Sequence, residues 1–600
     1  MDDMTIPGLL QSRAEKTPDA IAHFTMSKSG DWQSTSWQVY YEKCCALNHG
    51  LRKIGVKPGD TVGIMAATSQ TWDFVQMGIM MCGGVIIGID ISETKENVNH
   101  VVRMTKLSGI VIQHPELLLN IDQALIDAFN YVLVLEKSVG TVLKEKYYAL
   151  SDLDHSEKSP LMDAERNSLA TIICTSGTTG KPKGVGYTHE QVVLTCNAIL
   201  KGFPDIVLSS KLPCWLPLSN LFQRIINFCA IELGSSSYYI EDPRSIIKML
   251  PEIEPHLFIG VPRIFEKLYA AIDASIQKKP FLQKTVINLA IKSGDRFARS
   301  LRAGERLSPY HMAVYRVMDR LVLKKIRAFM GGKLYYMISG SAPMPVWMLE
   351  RFHALGILIL EAYGVSENII PVAMNTPANY KFGTVGKPLS DNTIRILEDG
   401  ELYISGNGVI NSYYNGNSPL TDDCFYPTGD YVSIDEEGYL KIVGRKSEVF
   451  KTSTGKKISP VVIEKQLQKS TAVDHAVIFG KSRKVLTALI TLSAQFKQEN
   501  AIDVENGITN QILDKLAATI LAVVKELPGY QQPAAVLISD SEFTVETGEL
   551  TSNLKLKRNI IEDRNDDKIE LIYQYLEGEG KSDALYFYDA GIVMAYKKCF

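Results

Sequence analysis

Segments patterned as strands alternate with segments patterned as helices through most of this chain, as Asp60 to Ala66, Thr71 to Met81 and Gly84 to Ile89 do in succession. Alternation of that kind favours α/β layers over an all-β or a bundle fold. At 600 residues the chain exceeds what one hydrophobic core spans, so at least two domains are expected, and 46% apolar residues suffice to fill them. No fixed-period repeat or low-complexity tract interrupts the pattern.

One loop carries chemistry. The apolar run Leu169 to Cys174 reads as a buried strand, and Thr175-Ser176-Gly177-Thr178-Thr179-Gly180-Lys181-Pro182-Lys183-Gly184-Val185 follows it. Its glycines let the backbone bend and present N–H groups to anionic oxygens, while its hydroxyls and the ammonium groups of Lys181 and Lys183 add donors and charge. At a strand's end, where ligands bind in α/β sheets, this suits the phosphates of a nucleotide better than a chance glycine- and threonine-rich surface loop. A Walker A loop is excluded: only Thr178 and Thr179 separate Gly177 from Gly180, and Pro182 follows Lys181. Thr188 and Gln191 then form a capping-box pattern before a helix carrying Val192, Val193, Cys196, Ile199 and Leu200.

Composition narrows the partners. Lys plus Arg number 64 against 67 Asp plus Glu, a net charge of −3, so no general electrostatic case exists for a nucleic-acid partner. The 9 cysteines are odd in number, scattered and mostly set in apolar runs, as buried thiols of a reducing compartment are, and no CxxC pair suggests zinc. The N-terminus lacks a signal-peptide pattern, and the apolar stretch from Met77 to Ile89 is too short to span a bilayer, reading instead as a buried helix-to-strand segment. A cytoplasmic protein is expected, with peripheral membrane contact left open. From Phe281 to Met330 the pattern turns helical and basic, with Arg299, Arg302, Arg306, Lys324, Lys325 and Arg327 among Leu, Val and Met; solvated basic faces are favoured there over a lipid-facing surface.

A second site lies between Thr428 and Lys451. Val432 and Ile434, then Leu440 and Ile442, alternate around Asp435-Glu436-Glu437-Gly438, the pattern of a hairpin. Folding it brings Asp430 near Arg445 at the open end, where the two could grip ribose hydroxyls and phosphate or merely pair with each other.

TSGTTGKPKGV at Thr175 to Val185, YGVSE at Tyr363 to Glu367, PTGD at Pro427 to Asp430 and GRKSE at Gly444 to Glu448 occur in one order. The arrangement resembles the acyl-adenylate-forming (AMP-binding) superfamily of acyl-CoA synthetases, peptide-synthetase adenylation domains and luciferases, over nearly the whole chain. Val261-Pro262-Arg263-Ile264-Phe265-Glu266-Lys267, Ile338-Ser339-Gly340-Ser341-Ala342-Pro343-Met344 and the closing Glu549 to Arg558 resemble the long-chain fatty acyl-CoA synthetases, towards the bubblegum branch.

The resemblance implies a fold and a reaction. The fold is α/β: a large N-terminal adenylate-forming domain with layered β-sheets and helices, residues 1–444; a small mobile α+β C-terminal lid domain with the catalytic lysine, residues 445–562; and a C-terminal helix and extra tail, residues 563–600. The reaction joins a fatty acid to CoA at the expense of ATP, through acyl-AMP, with Mg²⁺ as cofactor. In it Thr175, Ser176, Gly177, Thr178, Thr179, Gly180, Lys181 and Lys183 hold pyrophosphate, and Glu367 with Thr175 binds the metal. Gly340, Ser341, Ala342, Tyr363 and Gly364 line the adenine and acyl pocket, and Ser366 lies near the α-phosphate. Asp430 accepts the ribose hydroxyls, Arg445 assists, and Lys555 bridges carboxylate and phosphate, with Lys557 the alternative lysine. A fatty acyl-AMP or aryl-acid ligase with another acceptor, and a catalytically silent fatty-acid-binding regulatory protein, are the competing readings.

Four positions depart from the family pattern: Ser447 at the hinge, Thr454 before Gly455, Asn220 where many relatives carry histidine, and Ser366 in place of threonine. Residues beyond Leu576 run past the usual end. There Ala584 to Tyr588 and Ile592 to Met594 are apolar enough to pack on a surface.

Overall fold

The alternation that begins at Asp60 becomes strand Thr61–Met65, helix Gln70–Met81 and strand Val85–Ile89 in a computed structural model, with the two strands parallel. The structure describes the chain apart from residues 1–3, 137–145, 155–156, 160–163, 177–181, 503–507, 545–546, 551–555, 579–584, 590 and 598–600, and apart from the side chains of Ser176 and Lys597. Ser69 starts the helix by accepting a hydrogen bond from the Trp72 N–H at 3.2 Å. Both strands are almost wholly buried, as parallel strands covered on two faces are, and this is why they read as continuous apolar runs.

The chain forms two units, residues 1–396, 403–428 and 434–441 in the larger and residues 397–402, 429–433 and 442–600 in the smaller. In the larger, a seven-stranded sheet has the order Tyr147–Ala149, Tyr131–Val134, Gly109–Ile112, Thr61–Met65, Val85–Ile89, Leu169–Ser176 and Pro182–Thr188, parallel except for its last pair. A five-stranded sheet begins with the parallel strands Leu257–Gly260, Tyr336–Ser339 and Leu358–Tyr363, aligned so that Gly260, Ser339 and Glu361 stand side by side. A four-stranded sheet adds Lys211–Cys214, Ser236–Tyr239, Ile21–Met26 and Trp32–Ser36. Phe281 to Ala328 is helical, in helices Phe281–Arg302, Pro309–Met318 and Lys324–Ala328 with a π segment between the last two.

In the smaller unit one five-stranded sheet has a helix layer on each face. Ala476, Ile478, Ala488 and Ile490 pack with Leu513, Leu516 and Ile520 of helix Asn510–Val524. Val477, Phe479 and Leu489, one residue out of phase, pack with Ile561, Ile569 and Ile572 of helix Arg558–Leu576. The tail forms a hairpin of its own: Val593–Lys597 runs parallel to Pro533–Ile538, and Leu585–Asp589 closes the edge. The apolar Ile592 and Met594 therefore enter a core and complete the sheet.

The mixed α/β class and the sequence of a large unit followed by a smaller α+β unit agree with the sequence. Most of the cysteines are buried, and none of the eight described forms a disulfide. Among the described residues no helix is long and apolar enough to cross a membrane.

Candidate functional site

The strands on either side of the glycine-rich stretch pair with each other. Between that stretch and the expected helix lies the strand Pro182–Thr188, antiparallel to Leu169–Ser176 with Thr175 opposite Lys183 and Ser176 opposite Pro182. Ala170 and Ile172 are fully buried, and the Thr171 hydroxyl donates to the Ile86 carbonyl at 2.9 Å, which ties the hairpin to the parallel sheet. Gly177, Thr178, Thr179, Gly180 and Lys181 lie outside the described residues; Thr175 is half-buried at the hairpin's near side. The capping box forms as expected, with the Thr188 hydroxyl and the Gln191 side chain satisfying each other's backbone N–H groups.

A tyrosine cluster flanks this hairpin. The Tyr414 N–H donates to the Gly184 carbonyl at 2.8 Å, and a Cβ at Gly184 would stand 3.1 Å from that of Tyr414, so the strand needs glycine for the close approach. The Lys183 ammonium sits 4.8 Å from the centre of the Tyr413 ring, a cation–π contact. A cavity of about 600 Å³ opens here, lined by Met104, Lys183, Gly184, Tyr413, Tyr414 and Tyr426 among others.

Glu367 belongs to the same cluster. The Tyr413 hydroxyl donates to its carboxylate at 3.0 Å, and its carbonyl accepts the Ile410 N–H at 3.0 Å. The Tyr426 phenol lies near both Tyr413 and Glu367. Burial and then the Glu367 carboxylate push the Tyr413 phenol up to about 12, and raise that of Tyr426 too, so both remain donors at neutral pH. Next to Glu367, Ser366 is exposed, and its carbonyl is held by the hydroxyl of the buried Tyr187, a residue of the hairpin's second strand. Motif reading missed Tyr187, Tyr413 and Tyr426. The only available signal was an aromatic pair, Tyr413-Tyr414, inside the turn-rich run Asn411 to Asn417.

Glu367 and Thr175, the pair expected at a metal, offer a carboxylate and a hydroxyl. Hard oxygen donors of this kind fit Mg²⁺, which keeps much of its shell as water and phosphate oxygen. Among the described residues no group of three or more His, Cys, Asp or Glu is placed to hold an ion.

The remaining positions in the larger unit lie past the carboxyl ends of parallel strands, where α/β sheets bind ligands. The Gly340 N–H donates to the Gly260 carbonyl at 3.1 Å, and a Cβ there would press on the Phe222 ring at 3.3 Å. Ser341 takes φ +71°, a left-handed conformation that a non-glycine residue adopts only under constraint. The constraint is close by: the Met344 N–H donates to the buried Glu361 carboxylate at 2.7 Å. Ser341 and Ala342 are exposed as a result. On the neighbouring strand Tyr363 is half-buried and paired with Ala373, and Gly364 is exposed.

Asp430 and Arg445 are in the smaller unit. Gly429 at φ +68° turns the chain, the Lys446 N–H donates to the Gly429 carbonyl at 2.7 Å, and Arg445 Nε reaches Asp430 Oδ1 at 3.1 Å. Asp430 is 2% exposed while Arg445 is half-exposed, so the buried carboxylate is charge-paired from the solvent side. The expected hairpin tip also forms: the Asp435 carboxylate accepts the N–H groups of Glu437 and Tyr439 at 3.1 and 2.9 Å. Lys555 lies outside the described residues. Among its described neighbours, Leu550 bridges Leu556, and the Arg558 guanidinium grips the buried Glu464 carboxylate. Lys557 is half-buried, and its N–H donates to the Glu549 carbonyl at 2.8 Å.

Residues 10–414 match the family model for the AMP-binding enzyme, and residues 448–577 match that for the AMP-binding enzyme C-terminal domain. The chain is 30% identical over 562 residues to the long-chain-fatty-acid–CoA ligase FadD15 of Mycobacterium bovis, across 91% of this chain and 93% of that protein. It is 26% identical over 629 residues to the long-chain-fatty-acid–CoA ligase ACSBG2 of Xenopus laevis, across 95% and 84% of the two. Among solved structures, the adenylation domain of a carboxylate reductase from Mycobacterium chelonae aligns with a TM-score of 0.75 at 19% identity, covering 95% of this chain and 91% of that one, a likeness of fold. The matched domains, in the order the motifs require and over most of the chain, place it among the adenylate-forming ligases: it belongs to the AMP-binding enzyme family.

Proposed function

We propose that this protein is a long-chain fatty acid:CoA ligase that works through acyl-AMP. What supports the acyl substrate and the thiol acceptor is the 30% identity to a long-chain-fatty-acid–CoA ligase, sustained over 91% of the chain. The chemistry explains the residues. A carboxylate oxygen attacks the α-phosphorus of ATP, the bond to the bridging oxygen breaks and pyrophosphate leaves; the CoA thiolate then attacks the acyl carbonyl and AMP leaves. Both partners in the first step are anions, so cations and oriented donors must offset their repulsion.

In this reading the glycine-rich stretch from Thr175 to Lys183 receives the pyrophosphate. Thr175, Ser176, Thr178 and Thr179 donate hydrogen bonds, Gly177 and Gly180 give the backbone its approach, and Lys181 and Lys183 supply charge. Glu367 and Thr175 hold Mg²⁺, which when bound neutralises phosphate charge. Gly340, Ser341, Ala342, Tyr363 and Gly364 take the adenine and the acyl group, with Ser366 near the α-phosphate. Asp430 accepts the ribose hydroxyls and Arg445 fixes that carboxylate. Lys555 bridges the carboxylate and the α-phosphate, a task for a compact ammonium charge.

The test is a panel of saturated fatty acids of increasing length, with benzoate and anthranilate beside them, assayed for AMP, pyrophosphate and CoA consumption. One acyl-CoA should form per AMP, and kcat/KM should rise about fourfold per added methylene until the tunnel is filled, as ~0.8 kcal/mol per buried CH₂ implies. Acyl-AMP that accumulates without consuming CoA, or an aryl acid that outpaces every fatty acid, would overturn the proposal.

A further inference from the structure

Residues 278–330 carry thirteen Lys and Arg against three Asp and Glu, a net +10 within a chain whose net charge is −3. Two of the three acids are already engaged inside the segment: Asp295 pairs with Arg299 at 2.8 Å and Asp319 with Arg327 at 2.7 Å. Arg302 turns to Glu350 at 3.3 Å, but ten of the thirteen basic residues are exposed, so most of the basic excess faces outward. It is not alone there, because the same helices expose large apolar side chains, which solvated basic faces do not require.

Packing fixes which face is out. Helix Phe281–Arg302 buries Ala290, Gly294 and Ala298, and a Cβ at Gly294 would fall 2.0 Å from the Ala354 carbonyl oxygen, so this side lies hard against helix Val346–Ala354. The side turned away from that contact carries Phe281 and Leu289, while Leu282 and Val286, two turns and one turn before Ala290 on its own i, i+4 row, are exposed at the N-terminal end of the helix. Phe281 and Leu282 are 81% and 77% exposed. Along the side turned away, toward the C-terminus, stand the exposed Lys292 and Arg296. The next helices repeat the mixture: Tyr310, Val317 and Leu321 are exposed beside Arg316, Arg320, Lys324 and Lys325.

We infer that this helical face docks on an anionic lipid bilayer. Positive charge draws it to acidic headgroups, and Phe281, Leu282, Val286 and Leu289 enter the interface between headgroup and acyl chain. A nucleic acid would satisfy the charge but leave those side chains in water. The inference is independent of the proposed reaction, since binding needs no ATP, CoA or fatty acid.

Sedimentation of the full chain with vesicles tests it, comparing phosphatidylcholine alone with phosphatidylcholine containing phosphatidylglycerol, at low and high salt. Binding should require the anionic lipid and weaken with salt. Lys292→Glu with Arg296→Glu should weaken it at least about twentyfold, at roughly fivefold per charge removed. Phe281→Ser with Leu282→Ser and Leu289→Ser should weaken it at low and high salt alike. All five positions are exposed, so both variants should keep the parent's melting temperature. Equal binding to neutral and anionic vesicles, absence of binding, or charge-reversed protein that binds as well as the parent would overturn the inference. So would a serine variant that binds unchanged while single-stranded DNA displaces the parent, which would make the face a polyanion site.

Discussion

At Glu367 a carboxylate is useful to a metal only if it keeps its charge and its aim, and Tyr413 supplies the aim through its 3.0 Å hydrogen bond. A hydrogen bond to a charged group contributes about 1.5–3 kcal/mol. Tyr413→Phe should therefore lower the rate of ATP–pyrophosphate exchange about tenfold and raise the Mg²⁺ concentration needed for half-maximal exchange. An exchange rate and Mg²⁺ dependence equal to the parent's would remove Tyr413 from the site. Glu367 itself was legible because its neighbours form a recognisable string. Tyr413 was not: it is 46 residues further on, and only the fold brings its hydroxyl to that carboxylate.

At the scale of elements, long periodic segments declared themselves while pairings between distant strands did not. Helix Gln70–Met81 and strand Val85–Ile89 follow from apolar runs and caps close in sequence. The strand Pro182–Thr188 was hidden by its own composition, since Pro182, Gly184 and Gly186 lower any local preference for a strand and contacts distant in sequence, such as the Tyr414 N–H on the Gly184 carbonyl, help to hold it. The tail hairpin was legible as apolar matter and not as a strand partner, because Met594 pairs with Val536 across a long stretch of chain. Its contribution is measurable. Met594 is fully buried between sheet and helix, so Met594→Ala should cost the smaller unit about 2–4 kcal/mol of stability in a urea titration, with the larger unit's transition unmoved. Removal of residues 579–600 should go further and leave Pro533–Ile538 as an open edge that associates with other copies. A tail variant as stable as the parent would mean the hairpin adds nothing to this core.

For the whole molecule, two units with separate cores should unfold in two transitions, and acid should part them. Among the described residues the buried imidazoles are all in the larger unit. Burial holds His23 down to about 3 and His189 to about 4, and burial together with Arg302 holds His353 to about 4. In the unfolded chain each titrates near 6.5, so each contributes stability that is complete above that pH and is lost as the pH falls toward the folded value. The buried Asp73, raised by desolvation to about 6, acts in the opposite sense: its contribution is complete below its unfolded value and is lost as the pH rises through about 6. Three histidines outweigh one aspartate between pH 6.5 and 4, so the larger unit should lose stability there. His23 offers the cleanest test. It lies among Trp37, Tyr40, Phe74 and Tyr239, with ring centres 4.3 to 6.3 Å away, a setting in which phenylalanine packs equally well. His23→Phe should unfold within about 1 kcal/mol of the parent at pH 7.5. At pH 5 it should be the more stable by about 2 kcal/mol, the cost to the parent of keeping one imidazole neutral 1.5 pH units below its unfolded value. Urea titrations of the larger unit at the two pH values measure both differences, and parallel losses in parent and variant would place the acid sensitivity elsewhere.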